Sequence, residues 1–325
     1  MRGPIKVDVR DRRVRYELDL ERSITVVRGD SGTGKTTLFE LIRDAESDPD
    51  SGIKISCDHP CVALSNYDWQ ARLSKTKDSV VFVDEGLKGI GGNEFASLAK
   101  KTGNFFVIFN REPLFNLPYS VNAIYQMKTS GKKLHKLEPV YSPNSKHLYD
   151  PSQSRTNEDY TVVLVEDKKS GFEFYSARFM DSTNLTCESA GSKTKIYSWL
   201  MKHETGRVFV IADGAAFGPE AERVLKLQSQ FPDRLSVCLP ESFEWLLLKA
   251  LFANNKMVAS ALESTPQHVD SKQYLSWEQY FTRLLMEVSG EIRGMRYRKS
   301  KLAKAYLSPA NADKVMRLIA TRNVK

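Results

Sequence analysis

Cysteine is scarce in this 325-residue chain. Cys57, Cys61, Cys187 and Cys238 are too few to staple a fold, so a reducing, cytoplasmic setting is expected. Long hydrophobic runs are missing too. No stretch approaches the ~20 apolar residues of a membrane span, so no membrane is expected as partner. The basic start, MRGPIKVDVRDRRVRYELDL, lacks the apolar segment of a secretory signal. A second Cys/His pair at zinc spacing is also lacking. Cys57-Asp58-His59-Pro60-Cys61 therefore reads as two small apolar residues in short strands around an exposed loop histidine. What remains is an ordinary globular composition, 41% hydrophobic and 27% charged, long enough for two domains.

Net charge is absent from most of the chain. Residues 291–325 hold ten Lys/Arg and two acids, which accounts for the whole net charge of +8. The other 290 residues are balanced. A basic tail on a neutral body suits a polyanion, and nucleic acid is the expected partner, DNA or RNA, tRNA included. Arg293, Arg296, Arg298, Lys299 and Lys301 are the candidate phosphate contacts, with Lys304 beside them. Tyr297 and Tyr306 are interleaved to stack on bases. The plain alternative is a solvated surface of terminal helices.

Residues 24–37, ITVVRGDSGTGKTT, carry the strongest motif. A β-branched run leads into G-x-x-x-x-G-K-[ST], followed by an amphipathic helical pattern to about Ala45. Gly29, Asp30, Ser31, Gly32, Thr33, Gly34, Lys35, Thr36 and Thr37 would form a phosphate cradle. Its backbone N–H groups converge at a helix N-terminus, where the dipole favours anions. Lys35 would reach the β- and γ-phosphates of ATP, and the Thr36 hydroxyl would ligate Mg²⁺. Val80-Val81-Phe82-Val83-Asp84-Glu85 is an apolar strand ending in two acids. Asp84 would hold the Mg²⁺, and Glu85 would orient or deprotonate the attacking water. Phe105–Phe109 is a second apolar strand. Asn110 at its end either contacts the γ-phosphate or belongs to a simple strand-end turn.

Residues 5–9 and 14–20 alternate like a β-hairpin that feeds the loop strand. A hairpin in that place resembles the start of ABC-type ATPases, including their SMC and OLD relatives. No LSGGQ-like signature lies between the two motifs, so the resemblance does not extend to dimerisation through that element. Residues 1–140 are thus expected to be a P-loop ATPase domain. Residues 141–159, rich in Pro, Ser and Asn, read as a linker.

From residue 160 to 252 strands alternate with helices, as in a small parallel α/β sheet. Thr161–Val165 ends at Glu166-Asp167, and Val208–Ala212 ends at Asp213. A turn at Gly191–Lys193 opens a helix between them. This order is similar to the Toprim domain of topoisomerases, primases and OLD-family nucleases. The resemblance implies that Glu166 is a general acid or base and that Glu166 and Asp213 are metal ligands. The chain departs from the pattern at Ala215, where the second acid of Asp-x-Asp is expected, and Glu241 or Glu244 could complete the site. Residues 253–325 are expected to be helical and basic. Trp277, Tyr280, Phe281, Leu284, Leu285 and Val288 form a core stripe.

Together the resemblances imply an α/β chain in which an ATPase gates a Toprim-type, metal-dependent nuclease, as in OLD-like or PARIS-like phage-defence proteins. Its cofactors would be ATP and Mg²⁺. The alternative is an ATPase switch whose degenerate Toprim domain binds nucleic acid or a protein partner. A homo-oligomer also remains open. A P-loop kinase would leave the second sheet and the basic tail unexplained.

Overall fold

The computed structural model describes residues 1–29, 32–131, 133–141, 160–180, 182 and 184–319. The chain is a mixed α/β protein that divides into two compact units. One comprises residues 1–141 and 264–276, the other 142–263 and 277–325. The region 253–325, expected as a separate helical segment, is instead shared between them. Apart from Tyr141, the expected linker lies outside the described residues.

The first unit is built on nine strands. They are β1 (Ile5–Arg10), β2 (Arg15–Leu20), β3 (Ile24–Arg28), β4 (Lys54–Ser56), β5 (Cys61–Leu64), β6 (Val80–Val83), β7 (Phe105–Phe109), β8 (Ile124–Ser130) and β9 (Leu134–Pro139). Their order in the sheet is β4-β1-β2-β9-β8-β3-β7-β6-β5. Strands β3, β7, β6 and β5 run parallel, and β8 joins β3 in parallel. The β1–β2 hairpin is antiparallel, in register from Ile5↔Leu20 to Arg10↔Arg15. Sequence pattern explains the contrast. β6 and β7 are buried along their whole length and apolar throughout, as strands covered on both faces must be. β1 buries only Ile5, Val7 and Val9, the alternate residues on one face.

Helices α1 (Lys35–Ser47), α2 (Trp69–Lys75) and α3 (Asn93–Thr102) cover this sheet. Gly92 occupies the N-cap of α3, and Gly103, at φ 67°, ends it. Strands β4 and β5 are the two outer edges, yet only residues 57–60 join them. A flat sheet of nine strands would be about 38 Å wide. Four linking residues reach about 18 Å at most. The sheet therefore curls, and α1 fills the curl, packed against β1, β4, β5 and β6. Leu38, Leu41 and Ile42 bury that helix in the core.

In the second unit β10 (Val162–Val165), β11 (Thr186–Ser189), β12 (Val208–Ile211) and β13 (Leu235–Cys238) form a parallel sheet in the order β11-β10-β12-β13. Connections from β10 and β12 depart in opposite directions, which makes the carboxyl ends of these two strands the topological switch point. Helices α4 (Ser170–Phe179), α5 (Lys193–Lys202), α6 (Gly218–Gln230) and α7 (Phe243–Leu251) flank the sheet. After α8 (Lys256–Glu263), residues 264–276 with α9 (Thr265–His268) belong to the first unit. There Asp270 Oδ1 accepts from the Met1 amino group at 3.0 Å, and Ser271 Oγ donates to the Gly103 carbonyl at 2.5 Å. Helices α10 (Trp277–Gly290) and α11 (Pro309–Ile319) then pack on α7. The expected apolar stripe of α10 buries Trp277, Phe281, Leu284, Leu285 and Val288.

Candidate functional site

The glycine-rich loop follows β3 and opens α1, as its sequence requires. Asp30 and Ser31 lie outside the described residues. Gly29, Gly32 and Gly34 have φ of 122°, 82° and 92°, which side-chain-bearing residues rarely adopt. Gly34 is doubly constrained, because a Cβ there would lie 2.9 Å from the Tyr16 hydroxyl. That hydroxyl donates to the Gly34 carbonyl at 2.9 Å, and the Tyr16 ring stacks on His135 with centroids 4.8 Å apart. Burial pushes the Tyr16 phenol up to about 12, so it remains a donor at neutral pH. The hairpin strand β2 thus fixes the back of the loop.

Lys35 is buried, and its ammonium donates to the Gly29 carbonyl at 2.5 Å and to Thr33 Oγ1 at 3.0 Å. The charge is held inside the loop on oxygens that phosphate oxygens could replace. Thr36 and Thr37 begin α1 with exposed side chains. Asp84 and Glu85 leave the carboxyl end of β6, which is separated from β3 only by β7. All three strands are parallel, so both motifs lie at one edge of the sheet. Glu85 forms an ion pair with Arg111, at the end of β7, with Nε–Oε2 3.2 Å and both side chains about half exposed. The Asn110 side chain donates to the Glu112 carbonyl at 2.5 Å and is buried, the strand-end-turn alternative. Left-handed glycines and a buried lysine are the chemistry a phosphate cradle requires, and Thr36 and Asp84 carry oxygens of the hard kind that Mg²⁺ takes.

The second unit has its acids at the switch point. Glu166 Oε2 accepts from the Asp213 amide at 3.0 Å, and Asp213 Oδ1 accepts from the Phe243 amide at 2.9 Å. Burial pushes the Glu166 carboxyl up to about 7. Burial, together with the nearby Glu278, Glu166 and Glu244, puts Asp213 well above the usual carboxylate range. Glu244, on the first turn of α7, is 1% exposed. Its Oε1 accepts from the Tyr297 hydroxyl at 2.7 Å, and its Oε2 has no hydrogen-bond partner. A cavity of about 20 Å³, room for roughly one water-sized occupant, lies between Glu166, Asp213 and Glu244. A second, wider pocket of about 560 Å³, lined by Lys168, Lys169 and Ser192, shares Glu166, Asp213 and Lys299 with it.

Several expected roles change here. Lys299 does not join a solvent-facing phosphate-binding row. Its ammonium sits 2.7 Å from Glu278 and 3.7 Å from Glu244, and those carboxylates hold it above the ordinary lysine value although burial pulls the other way. Tyr297 and Tyr306 are buried, 1% and 0% exposed, so neither can stack on a base. Tyr297 bonds Ser170 Oγ at 2.7 Å, and Tyr306 donates to the Met295 carbonyl at 2.7 Å. Arg293, Arg296, Arg298 and Lys301 are exposed.

The expected metal pair, Glu166 and Asp213, lines the small cavity together with Glu244. Ala215 is buried where a further acid was expected, and a lysine ammonium already bonds the neighbouring carboxylates. Among the described residues no three His, Cys, Asp or Glu side chains gather as a metal-holding group. Sequence reasoning missed Glu278, which had no motif around it and reaches the cluster only because α10 packs there. Glu244, one of two candidates, is the one that lines the cavity.

Among the described residues no helix is long and apolar enough to cross a membrane. Comparison with protein-family models gives no match, and a search of curated proteins gives none that is significant.

Proposed function

We propose that the chain is an ATP-binding and ATP-hydrolysing switch of the P-loop, ABC/OLD-like kind. Its second, Toprim-like unit binds nucleic acid and has lost metal-dependent cutting. The observation that supports the nucleotide reading is the Gly29–Thr37 loop. Left-handed glycines and a buried lysine stand at the start of α1, beside Asp84 and Glu85 on the same sheet edge. Lys35 and the loop amides bind the phosphates. Glu85 orients the attacking water and accepts its proton. Thr36 and Asp84 would hold Mg²⁺, which would supply charge neutralisation at the phosphates. Nucleic acid is held by Arg293, Arg296, Arg298 and Lys301 through its phosphates, without tyrosine stacking.

One observation favours the cutting alternative, in which ATP gates a nuclease. Glu244 Oε2 is unpartnered and lines the small cavity with Asp213. Incubating the protein with plasmid, single-stranded DNA and tRNA, with ATP and with Mg²⁺ or Mn²⁺, separates the two. Binding without cleavage supports the switch. Cleavage that is lost in Asp213→Ala overturns it in favour of the nuclease. Phosphate release that persists in Glu85→Gln overturns the hydrolytic role of that residue.

A further inference from the structure

The turn that joins the two edges of the curled sheet carries a pair of thiols. Cys57 follows β4 and Cys61 opens β5, so each belongs to a different edge. Both sulfurs gather on the backbone of His59. Its N–H donates to Cys57 Sγ at 3.4 Å, and Cys61 Sγ donates to its carbonyl at 3.9 Å. Each cysteine is partly exposed, and each packs against the core cluster that contains Leu38 and Ile42 of α1. The seam of the sheet, the pair of sulfurs and the helix that opens at the phosphate loop are therefore one contiguous piece of structure.

The pair is also chemically asymmetric. The neighbouring Cys61 and the His59 amide bring the Cys57 thiol down to about 7, against burial and the nearby Asp58. That leaves a large thiolate fraction at neutral pH. Cys61, raised by the neighbouring Cys57 and by its own burial, is moved up. The other two cysteines are poorer nucleophiles. Burial raises Cys187, and it raises Cys238 to about 12.

From this geometry we infer that Cys57 and Cys61 form a redox-modification site, oxidised by peroxides to a disulfide that clamps β4 to β5. The Cys57 thiolate attacks one oxygen of hydrogen peroxide. The O–O bond breaks, hydroxide leaves and takes up a proton, and Cys57 becomes a sulfenic acid. Cys61 sulfur then attacks Cys57 sulfur and loses its proton, and water leaves. Two thiols and one peroxide give one disulfide and two waters, a two-electron oxidation. In a reducing compartment such a bond is transient, as suits a sensor more than a scaffold. This inference does not depend on the nucleotide reading.

Intact mass and peptide mapping of the full chain after peroxide treatment test it. A loss of two hydrogens is expected, located to a peptide linking Cys57 and Cys61 and reversed by dithiothreitol. Cys187 and Cys238 should remain alkylatable after unfolding. Cys61→Ser should stop at a trappable sulfenic acid on Cys57, and Cys57→Ser should give neither product. In untreated wild-type protein iodoacetamide should label Cys57 ahead of the other three. Free thiols at both positions after peroxide, or oxidation that begins at Cys187 or Cys238, overturn the inference. The wild-type measurements decide it even if a variant folds poorly.

Discussion

Replacing Lys299 by Met tests whether this lysine is an internal counter-ion or a surface cation. Its ammonium lies 2.7 Å from Glu278, which is 25% exposed, and 3.7 Å from Glu244, which is 1% exposed. At an effective dielectric constant near 20, a charge pair 3.7 Å apart attracts by about 4 kcal/mol before desolvation is subtracted. Removing one partner of a fully buried pair costs about 3–5 kcal/mol. Lys299 is itself one-third exposed, so solvent screens part of this, and about 2–3 kcal/mol is the expected loss at pH 8. The sign of the pH dependence is fixed. Without the ammonium, which holds Asp213 down, that buried carboxyl is raised further and binds a proton more readily in the folded than in the unfolded chain. The stability deficit of the variant therefore shrinks as pH falls, to about 1 kcal/mol near pH 5. Urea unfolding followed by tryptophan fluorescence suits the question. Trp199, Trp245 and Trp277 lie in the second unit and only Trp69 in the first. A loss below about 0.5 kcal/mol at pH 8, typical of a solvated surface lysine, refutes the internal counter-ion.

Four further outcomes follow from the same geometry. Gly34→Ala forces a Cβ into a φ of 92° and to 2.9 Å from the Tyr16 hydroxyl, at about 1–2 kcal/mol for the backbone alone. A titration should show nucleotide affinity reduced by about tenfold or more, and unchanged affinity counts against the cradle. Glu85→Gln should bind ATP as the wild type does and release little phosphate. Arg111→Ala frees Glu85 from its 3.2 Å ion pair and should change turnover while leaving binding intact, a split that equilibrium binding and steady-state hydrolysis measure separately. Finally, Glu166 titrates near 7 in the fold and near 4.5 when unfolded, with Asp213 raised as well. Carboxyls raised by burial favour the folded state at low pH, and that contribution is lost as pH rises from about 4.5 through 7. The urea midpoint of the second unit should therefore fall over that range, and Asp213→Asn should flatten the trend.

Much of this was legible in the residues. The loop at Gly29–Thr37 announces itself by glycine spacing between a β-branched strand and an amphipathic helix. The uninterrupted apolar runs at Val80–Val83 and Phe105–Phe109 could only be strands covered on both faces. The acids at Asp84, Glu166 and Asp213 follow such strands directly, so their places at carboxyl edges were readable from pattern alone. What was not legible depends on packing between distant segments. Nothing local in Ser264–Ser276 says that it returns to the first unit, held by the Met1 amino group and Gly103. Tyr297 and Lys299 look like parts of a basic surface because their neighbours are arginines. A partner 53 residues away in sequence, Glu244, takes the tyrosine inside, and the same cluster pairs the lysine with carboxylates. Charge counting along a chain cannot tell an ammonium that faces water from one that faces carboxylates.

The central claim is that the Gly29–Thr37 loop binds a nucleoside triphosphate, and a calorimetric titration with ATP and Mg²⁺ tests it most directly. Wild-type protein should bind one ATP per chain with micromolar or tighter affinity. Lys35→Ala, correctly folded by circular dichroism, should show no saturable heat. Equal binding by the two proteins, or none by the wild type, would contradict the account.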